Sequence, residues 1–494
     1  MRDSQIDESA MGATNFALSP GPRGRLNVQI GTSPYLREID FSPLDRLQGG
    51  DFRLDPVSLA DLMRNSFVYP PHSIYRNVKL AGTGFDPAQD MHGDPRYHYR
   101  FQSALAPSRP PPGTVDENEL LESYHRLLCD SITHATANMQ APWLFQSGGK
   151  DSTTLAIALA EARPDTICFT YLGGSEEDEV PSARLVAKKL GLRHETLVCE
   201  PERAYDRYLA MLPRIPLLTA DFALLSYADL ATEVHARGGD GIIDGLGADE
   251  YFGAPLHNRE RLLRLLARGL RLPQKLFTSS LVSRHFKLCF FLSTLQMDTF
   301  ERFFPGSRFS DAEVDALFGC TIADRSRQRL KPFRPDIDAA KSKEAVRRIA
   351  LTIVESGQLA KCMYIAKAMS LRLAFPYCDE RLRDLVFHHV ADDELIGPGG
   401  VNKVLMRKYI ARHFKELPYV QSKGSFRFDL RGLASRRYDQ VRNFAEQARE
   451  VMPGAPAWLD AHRKFLGNKF FASKYYLLAI TLPWLLDRMH GPDN

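Results

Sequence analysis

Six consecutive residues, Ser147-Gly148-Gly149-Lys150-Asp151-Ser152, combine types suited to handling phosphate. Gly148 and Gly149 have no Cβ, so their backbone can come close to an anion. The apolar run Trp143-Leu144-Phe145 before them reads as a buried strand. Thr153 to Glu161 after them, rich in Ala and Leu without Pro or Gly, reads as a helix. A helix start offers unpaired N–H groups and the positive end of its dipole to a negative ligand. Asp151 alone would repel phosphate, but it suits a Mg²⁺ ion that carries phosphate oxygens on its far side. The GxxxxGK[ST] pattern of the other common phosphate loop is absent. The plain alternative is an ordinary strand-to-helix turn.

A second glycine-rich stretch, Gly245-Leu246-Gly247-Ala248-Asp249-Glu250-Tyr251-Phe252-Gly253, follows the short apolar segment ending at Asp244. If both stretches end neighbouring strands, Asp249 faces Asp151 across one metal site. Two carboxylates, phosphate oxygens and water make a reasonable Mg²⁺ shell. The competing reading is a helix cap at a glycine turn. Lys423, in Gln421-Ser422-Lys423-Gly424-Ser425-Phe426, sits on a glycine loop and could swing over a polyphosphate, although a lone loop lysine is usually just solvated. Lys403, beside Arg407, reads as a helix-surface or structural residue.

These residues need a scaffold, and the chain supplies one. Strands are expected at Val28–Ile30, Trp143–Phe145, Thr166–Tyr171, His194–Val198 and Gly241–Asp244. Helices are expected at Ser58–Phe67 with Ser58 as cap, Thr114–Asn138, Pro181–Leu190 ending at Gly191, Phe222–Ala236 and Leu351–Leu371. Alternating strands and helices predict an α/β fold, a parallel sheet with helices on both faces, with ligands at the carboxyl ends of the strands. Pro110-Pro111-Pro112-Gly113 reads as a stiff linker. It divides a short, irregular N-terminal region, 1–113, from 114–494. Within the latter, residues 259–335 read as a helical, basic insertion carrying Arg259, Arg261, Arg264, Arg268 and Arg271. Those arginines read as a solvated face, with an acidic partner as the sharper alternative. The C-terminal part is helical, and Tyr475–Leu486 reads as a buried helix.

Composition narrows the class. The 494 residues are 44% hydrophobic and 25% charged, ordinary for a globular protein, and net charge is only +4. That balance gives little reason to expect a nucleic-acid partner. Seven scattered cysteines without a CxxC pair indicate neither a disulfide framework nor a zinc ribbon, and fit a cytoplasmic setting. No apolar run reaches membrane-spanning length, and the polar N-terminus does not read as a signal peptide.

SGGKDS resembles the PP-loop of the ATP pyrophosphatase superfamily, whose α/β fold is adenine nucleotide alpha hydrolase-like. The order SGGKDS, GLGADEYFG, FPYCDERL, NKVLMR and QSKGSF resembles, over roughly residues 116–494, the synthetase domain of the asparagine synthetase family, with β-lactam synthetase, carbapenam synthetase and lasso-peptide cyclases among its relatives. Tyr69 to Gly82 resembles the segment that closes that family's glutaminase domain, so 1–113 would be a degenerate, truncated glutaminase-like region. The resemblance implies that Ser147, Gly148, Gly149, Lys150, Asp151 and Ser152 bind the pyrophosphate of ATP. It implies that Asp151 and Asp249 bind Mg²⁺, and that Gln146, Asp244 and Gly245 frame the adenine. It makes Lys423 catalytic, stabilising charge on the α-phosphate and on a later tetrahedral intermediate.

Three positions depart from that pattern. Arg2 follows Met1 and the first cysteine is Cys129, so no N-terminal cysteine nucleophile and no glutaminase are expected. Leu246 stands where relatives carry an acid or a tyrosine, and it can do no acid–base work. Lys150 occupies a usually apolar place and is commoner in tRNA-thiolating PP-loop enzymes. The sequence therefore predicts an ATP-dependent ligase forming AMP and pyrophosphate, which joins a small-molecule or peptide carboxylate to an amine or ammonia through an acyl-adenylate. A tRNA-modifying PP-loop enzyme and a non-catalytic relative are the competing readings.

Overall fold

The computed structural model describes residues 28–31, 40–46, 53–81, 85–89, 95–99, 110–111, 113–173, 179–252, 270–297, 301, 309–339, 357–415 and 428–489. Lys423 and its loop, Gly253, and the basic residues Arg259, Arg261, Arg264 and Arg268 lie outside these segments.

The first strand, β1 (Val28–Gly31), pairs in parallel with β2 (Val78–Ala81), and β3 (Phe85–Gln89) with β4 (Pro95–Tyr99) forms an antiparallel hairpin. Between β1 and β2 lies helix α1 (Pro56–Asn65), every residue of which is buried. Its cap is Asp55, whose carboxylate accepts from the Val57 N–H at 3.1 Å. Ser58, the expected cap, lies inside the helix and donates to the Ser73 carbonyl at 2.6 Å. The sequence looked irregular here because α1 buries charge as well as apolar surface. Arg329 pairs with Asp55 and Asp61, and Arg64 with Glu301 and Asp311. Polar residues satisfied in a core erase the apolar stripe that marks a helix.

The central sheet holds β5 (Pro142–Phe145), β6 (Ile167–Leu172), β7 (Arg193–Val198), β8 (Gly241–Ile243) and β9 (Arg372–Ala374), all parallel, in the order β7-β6-β5-β8-β9. The expected strands are there, shifted by a residue or two. The fifth, β9, hides in a three-residue tail after the 357–369 helix. Helix α2 (Glu117–Ala135) leads into β5, and α3 (Lys150–Ala162), α4 (Val180–Leu190), α5 (Pro201–Met211) and α6 (Leu224–Ala236) provide crossovers, α5 among them without a sequence expectation. Gly191 caps α4 at φ 73°, a left-handed position glycine takes without steric cost.

Alternate residues of the strands feed two cores. Trp143, Phe145, Phe169 and Ile242 join a cluster with α1, α5, α6 and the C-terminal helix Lys469–Met489. Leu144, Cys168 and Ile243 join a second with α2, α3 and the helix Val404–His413. Both sheet faces are thus covered, as a parallel sheet requires. The residues before Pro110 share the first core with the sheet: Leu59, Leu62 and Met63 belong to the same cluster as Trp143. The buried C-terminal helix runs Phe470 to Leu486 without an exposed residue.

β5 and β8 are neighbours, yet the chain leaves β5 toward β6 and leaves β8 toward β9. The strand order reverses between them, which opens a crevice at their carboxyl ends.

Candidate active site

Both glycine-rich loops open into that crevice. After β5, Gln146 to Gly149 turn the chain into α3, with Gly149 at the cap position. The turn is stitched by serines: the Ser147 N–H donates to Ser152 Oγ at 3.1 Å, Ser152 Oγ donates to the Ser147 carbonyl at 2.8 Å, and the Gly149 N–H donates to Ser147 Oγ at 3.1 Å. The Gly148 N–H donates to Glu179 Oε2 at 3.3 Å, a carboxylate that the sequence reading did not place in the site. A Cβ at Gly148 would stand 3.2 Å from Glu179 Cβ and 3.3 Å from Ser182 Cβ, so a side chain there must push these neighbours aside by a few tenths of an ångström. With those three N–H groups engaged inside the protein, the donors a helix start turns toward an anion fall to the first turn of α3, Lys150 to Ser152.

After β8, Asp244 and Gly245 lead into Gly247, whose φ of 98° only glycine adopts freely, and into the short helix α7 (Ala248–Tyr251). A Cβ on Gly245 would lie 3.6 Å from Asp151 Cβ, so the two loops run side by side. Their carboxylates converge on one cation. Lys403 Nζ stands 2.6 Å from Asp151 Oδ1 and 2.6 Å from Asp249 Oδ1. The pairing of Asp151 with Asp249 expected from sequence is therefore present, and the group between them is an ammonium.

Lys403 is not a helix-surface residue. Its side chain is 2% exposed, against 24% for Asp151 and 47% for Asp249, so the carboxylates face solvent and the ammonium lies beneath them. Burial by itself would lower its pKa, but the carboxylates of Asp151 and Asp249 more than offset that and raise it, so the side chain stays charged. Lys403 sits at the start of the Val404–His413 helix in a left-handed conformation, φ 56° and ψ 48°. Such a backbone is uncommon outside glycine and costs about 1–2 kcal/mol. Its neighbours hold it: the Lys403 N–H donates to the Leu395 carbonyl at 2.7 Å, and Arg407 Nε donates to the Asn402 carbonyl at 2.8 Å. A cation is also misplaced at a helix start, where the dipole is positive. Once the helix start is known, Asp151 and Asp249 account for a cation held there.

FPYCDERL supplies support rather than ligands. The buried Tyr377 hydroxyl donates to the Asp151 carbonyl at 2.7 Å, pinning the first turn of α3. Asp379 caps the helix Glu380–His388 and pairs with Arg381. At the end of β8, Asp244 is buried and accepts from the Leu246 N–H at 3.0 Å. Burial pushes its carboxyl above the usual range, opposed by the nearby Lys361 ammonium, which itself pairs with Asp221 at 3.2 Å. Gln146 is fully buried and its amide donates to the Ala183 carbonyl at 3.3 Å, while no protein group partners its Oε1. Leu246 is half-buried against the first core and brings no titratable group.

The sequence matches a family described as asparagine synthase over residues 124–455. No curated protein matches the chain. Among solved structures it is similar to an NMN synthetase from Francisella tularensis, at 15% identity and a TM-score of 0.24, covering 50% of this chain and 96% of that one. It is also similar to an NH3-dependent NAD synthetase from Campylobacter jejuni, at 13% identity and a TM-score of 0.22, with the same coverage. Among the described residues, no helix is long and apolar enough to cross a membrane.

Proposed function

This chain belongs to the asparagine synthase family, and we propose that it is an ATP-dependent ligase that activates a carboxylate as its acyl-adenylate and passes it to an amine or ammonia. The observation that carries this reading is the meeting of Asp151 and Asp249 on one cation at the crevice between β5 and β8. Two carboxylate oxygens brought to one point, half open to solvent, fit a hard divalent cation with oxygen ligands. Asp151 and Asp249 would hold Mg²⁺. Bound there, Mg²⁺ would neutralise charge on the triphosphate and its pyrophosphate product.

In this reading the first turn of α3, Lys150 to Ser152, takes the pyrophosphate end of ATP, and the Ser147–Gly149 turn holds that helix start in place. Asp244, Gly245 and Gln146 line the adenine side. Lys403 keeps the two carboxylates apart and oriented before the nucleotide arrives. With the charge of Asp151 and Asp249 taken up at the metal site, Lys403 would be available to the phosphate oxygens. Lys423 meets the α-phosphate from its glycine loop. The substrate carboxylate attacks the α-phosphorus, the bond to the bridging oxygen breaks, and pyrophosphate leaves. The amine then displaces AMP and gives up a proton. Leu246 cannot take that proton, so the base is another group of the crevice or the substrate itself. A substrate carrying its own amine would gain from proximity and close into a lactam or macrocycle. A cytoplasmic setting matches the thiol content.

The test follows the oxygen atoms. With an ¹⁸O-labelled carboxylate substrate, found by screening for carboxylate-stimulated release of pyrophosphate, one label should appear in AMP. Formation of ADP and phosphate, or AMP without label, would overturn the adenylate reading.

A further inference from the structure

A second constellation lies at the opposite end of α3. On α2, His125 and Cys129 are one helical turn apart and so point to the same side. Glu161, in the last turn of α3, meets them. One ligand atom from each of the three lies within 4.8 Å of the others. His125 Nε2 is 2.9 Å from Glu161 Oε2 and 3.6 Å from Cys129 Sγ. We propose that His125, Cys129 and Glu161 form a binding site for a borderline-soft divalent ion of the Zn²⁺ class, separate from the nucleotide crevice.

The separations approach what that ion needs, and Cys129 must turn its Sγ off the imidazole face, where it lies 3.9 Å from Nδ1 as well as 3.6 Å from Nε2. Tetrahedral Zn²⁺ with bonds of about 2.0 Å to nitrogen and 2.3 Å to sulfur needs those two atoms about 3.6 Å apart. The carboxylate oxygen must withdraw by about 0.5 Å to reach its own tetrahedral distance from the imidazole. Glu161 is free to do so, being 71% exposed. The imidazole is oriented from behind: its Nδ1 is hydrogen-bonded to the Tyr409 hydroxyl, which leaves Nε2 for the ion. Such an outer partner is the usual companion of a ligating histidine. One sulfur, one nitrogen and one oxygen exclude Mg²⁺ and Ca²⁺, which take oxygen alone. The fourth position falls to water or to His413, whose ring centroid is 6.3 Å from that of His125 on the exposed end of the Val404–His413 helix.

The placement gives the ion leverage. Asp151 lies in the first turn of α3 and Glu161 in its last; Lys403 caps the start of the Val404–His413 helix and His413 ends it. An ion held by His125, Cys129 and Glu161 ties α2 to α3, and with His413 as fourth ligand it would also tie in the helix that starts at Lys403. Burial and the Glu161 and Asp130 carboxylates push the Cys129 thiol up to about 12, so binding must expel its proton to solvent.

Co²⁺ is the probe, because cobalt bonded to a thiolate has a charge-transfer absorption that oxygen-bound cobalt lacks. Full-length protein stripped of metal and titrated with Co²⁺ should develop that band, saturating at one equivalent and abolished by Zn²⁺. Cys129→Ser should lose the band. His125→Ala should weaken binding at least tenfold, and Asp151→Asn, which removes one of the two crevice carboxylates, should keep the band. Zn²⁺ should raise the melting temperature of the parent and leave that of Cys129→Ser unchanged. A missing band in the folded parent, or a band that survives in Cys129→Ser, would overturn the site. His413→Ala decides the fourth ligand: weaker binding assigns it to His413, unchanged binding to water.

Discussion

Lys403 and Asp151 are 252 residues apart in the chain and 2.6 Å apart in space. The same ammonium bonds Asp249, so three distant segments meet at one charge. A buried ammonium between two acids is a cation held in reserve, and removing it leaves two carboxylates facing each other. Breaking a buried pair from one side typically costs about 3–5 kcal/mol, less here because Asp151 and Asp249 can draw on solvent. Lys403→Met should therefore remain folded with a lowered melting temperature. Mg²⁺ without nucleotide should stabilise the variant more than the parent, since it no longer competes with the ammonium. Turnover should fall by at least ~10², the loss of one electrostatic stabiliser. Equal Mg²⁺ responses in the two proteins would refute the competition.

Asp151→Ala and Asp249→Ala should each abolish pyrophosphate release and leave the fold intact. Both carboxylates serve one cation position, so neither can replace the other. Asp151 has a second tie, through its carbonyl to Tyr377, but that tie uses backbone and survives the substitution. Near-normal turnover in either variant, measured as pyrophosphate per enzyme, would remove that residue from the metal site.

Gly148→Ala tests the turn. The added methyl meets Glu179 and Ser182 at 3.2 to 3.3 Å, so Glu179 must shift and its bond to the Gly148 N–H is strained. The turn that sets the start of α3 moves while the core does not. KM for ATP should rise about tenfold or more with little change in melting temperature. A normal KM would mean the turn does not position the nucleotide site.

Acid should loosen the β6–β7 edge of the sheet. Burial, helped by Arg184, holds His194 down to about 4, and its Nε2 pairs with Thr170 Oγ1 at 2.9 Å. A histidine whose folded pKa lies below its unfolded value of about 6.5 favours the neutral form. Its contribution is present above pH 6.5 and is lost as pH falls from 6.5 to about 4. Thermal melts across that window should show a slope that His194→Gln flattens. An unchanged slope would place the acid sensitivity elsewhere.

Much of the scaffold could be read from the chain because its signals are local. Trp143-Leu144-Phe145 is apolar on both sides of a sheet buried on both faces, and Gly191 sits where α4 must stop. The Ser147–Ser152 and Gly245–Asp249 loops stood out by composition, and their alignment followed from strand order. What the sequence withheld depends on contacts across the chain. β9 is three residues long and is a strand only because Ile242 pairs with Leu373. Arg64 and Asp61 look like surface residues until Glu301 and Arg329 meet them in the core. Lys403 looked like one more lysine on a helix for the same reason.

The division of labour between two lysines is the sharpest remaining test. Lys423, beside Gly424 in sequence, is outside the described residues, and Lys403 is locked under the carboxylates. If Lys423 meets charge that grows only as the α-phosphate is attacked, Lys423→Met should lower kcat by at least ~10² while ATP affinity changes only a few-fold. Lys403→Met should instead change metal and nucleotide affinity as well as turnover, because its partners are present before the reaction begins. Lys408→Met is the control: Lys408 lies in the same helix as Lys403 and pairs with Glu117 and Glu394 at 2.6 Å, away from both loops. It should leave kcat and KM within about twofold, as expected for a partly exposed pair remote from both loops. Equilibrium binding of ATP with Mg²⁺, measured beside steady-state kinetics on the three variants, separates the roles. If Lys423→Met raises the ATP dissociation constant in proportion to its lost activity, it binds the ground state. If it is silent while Lys403→Met is inactive, the catalytic ammonium is Lys403 alone.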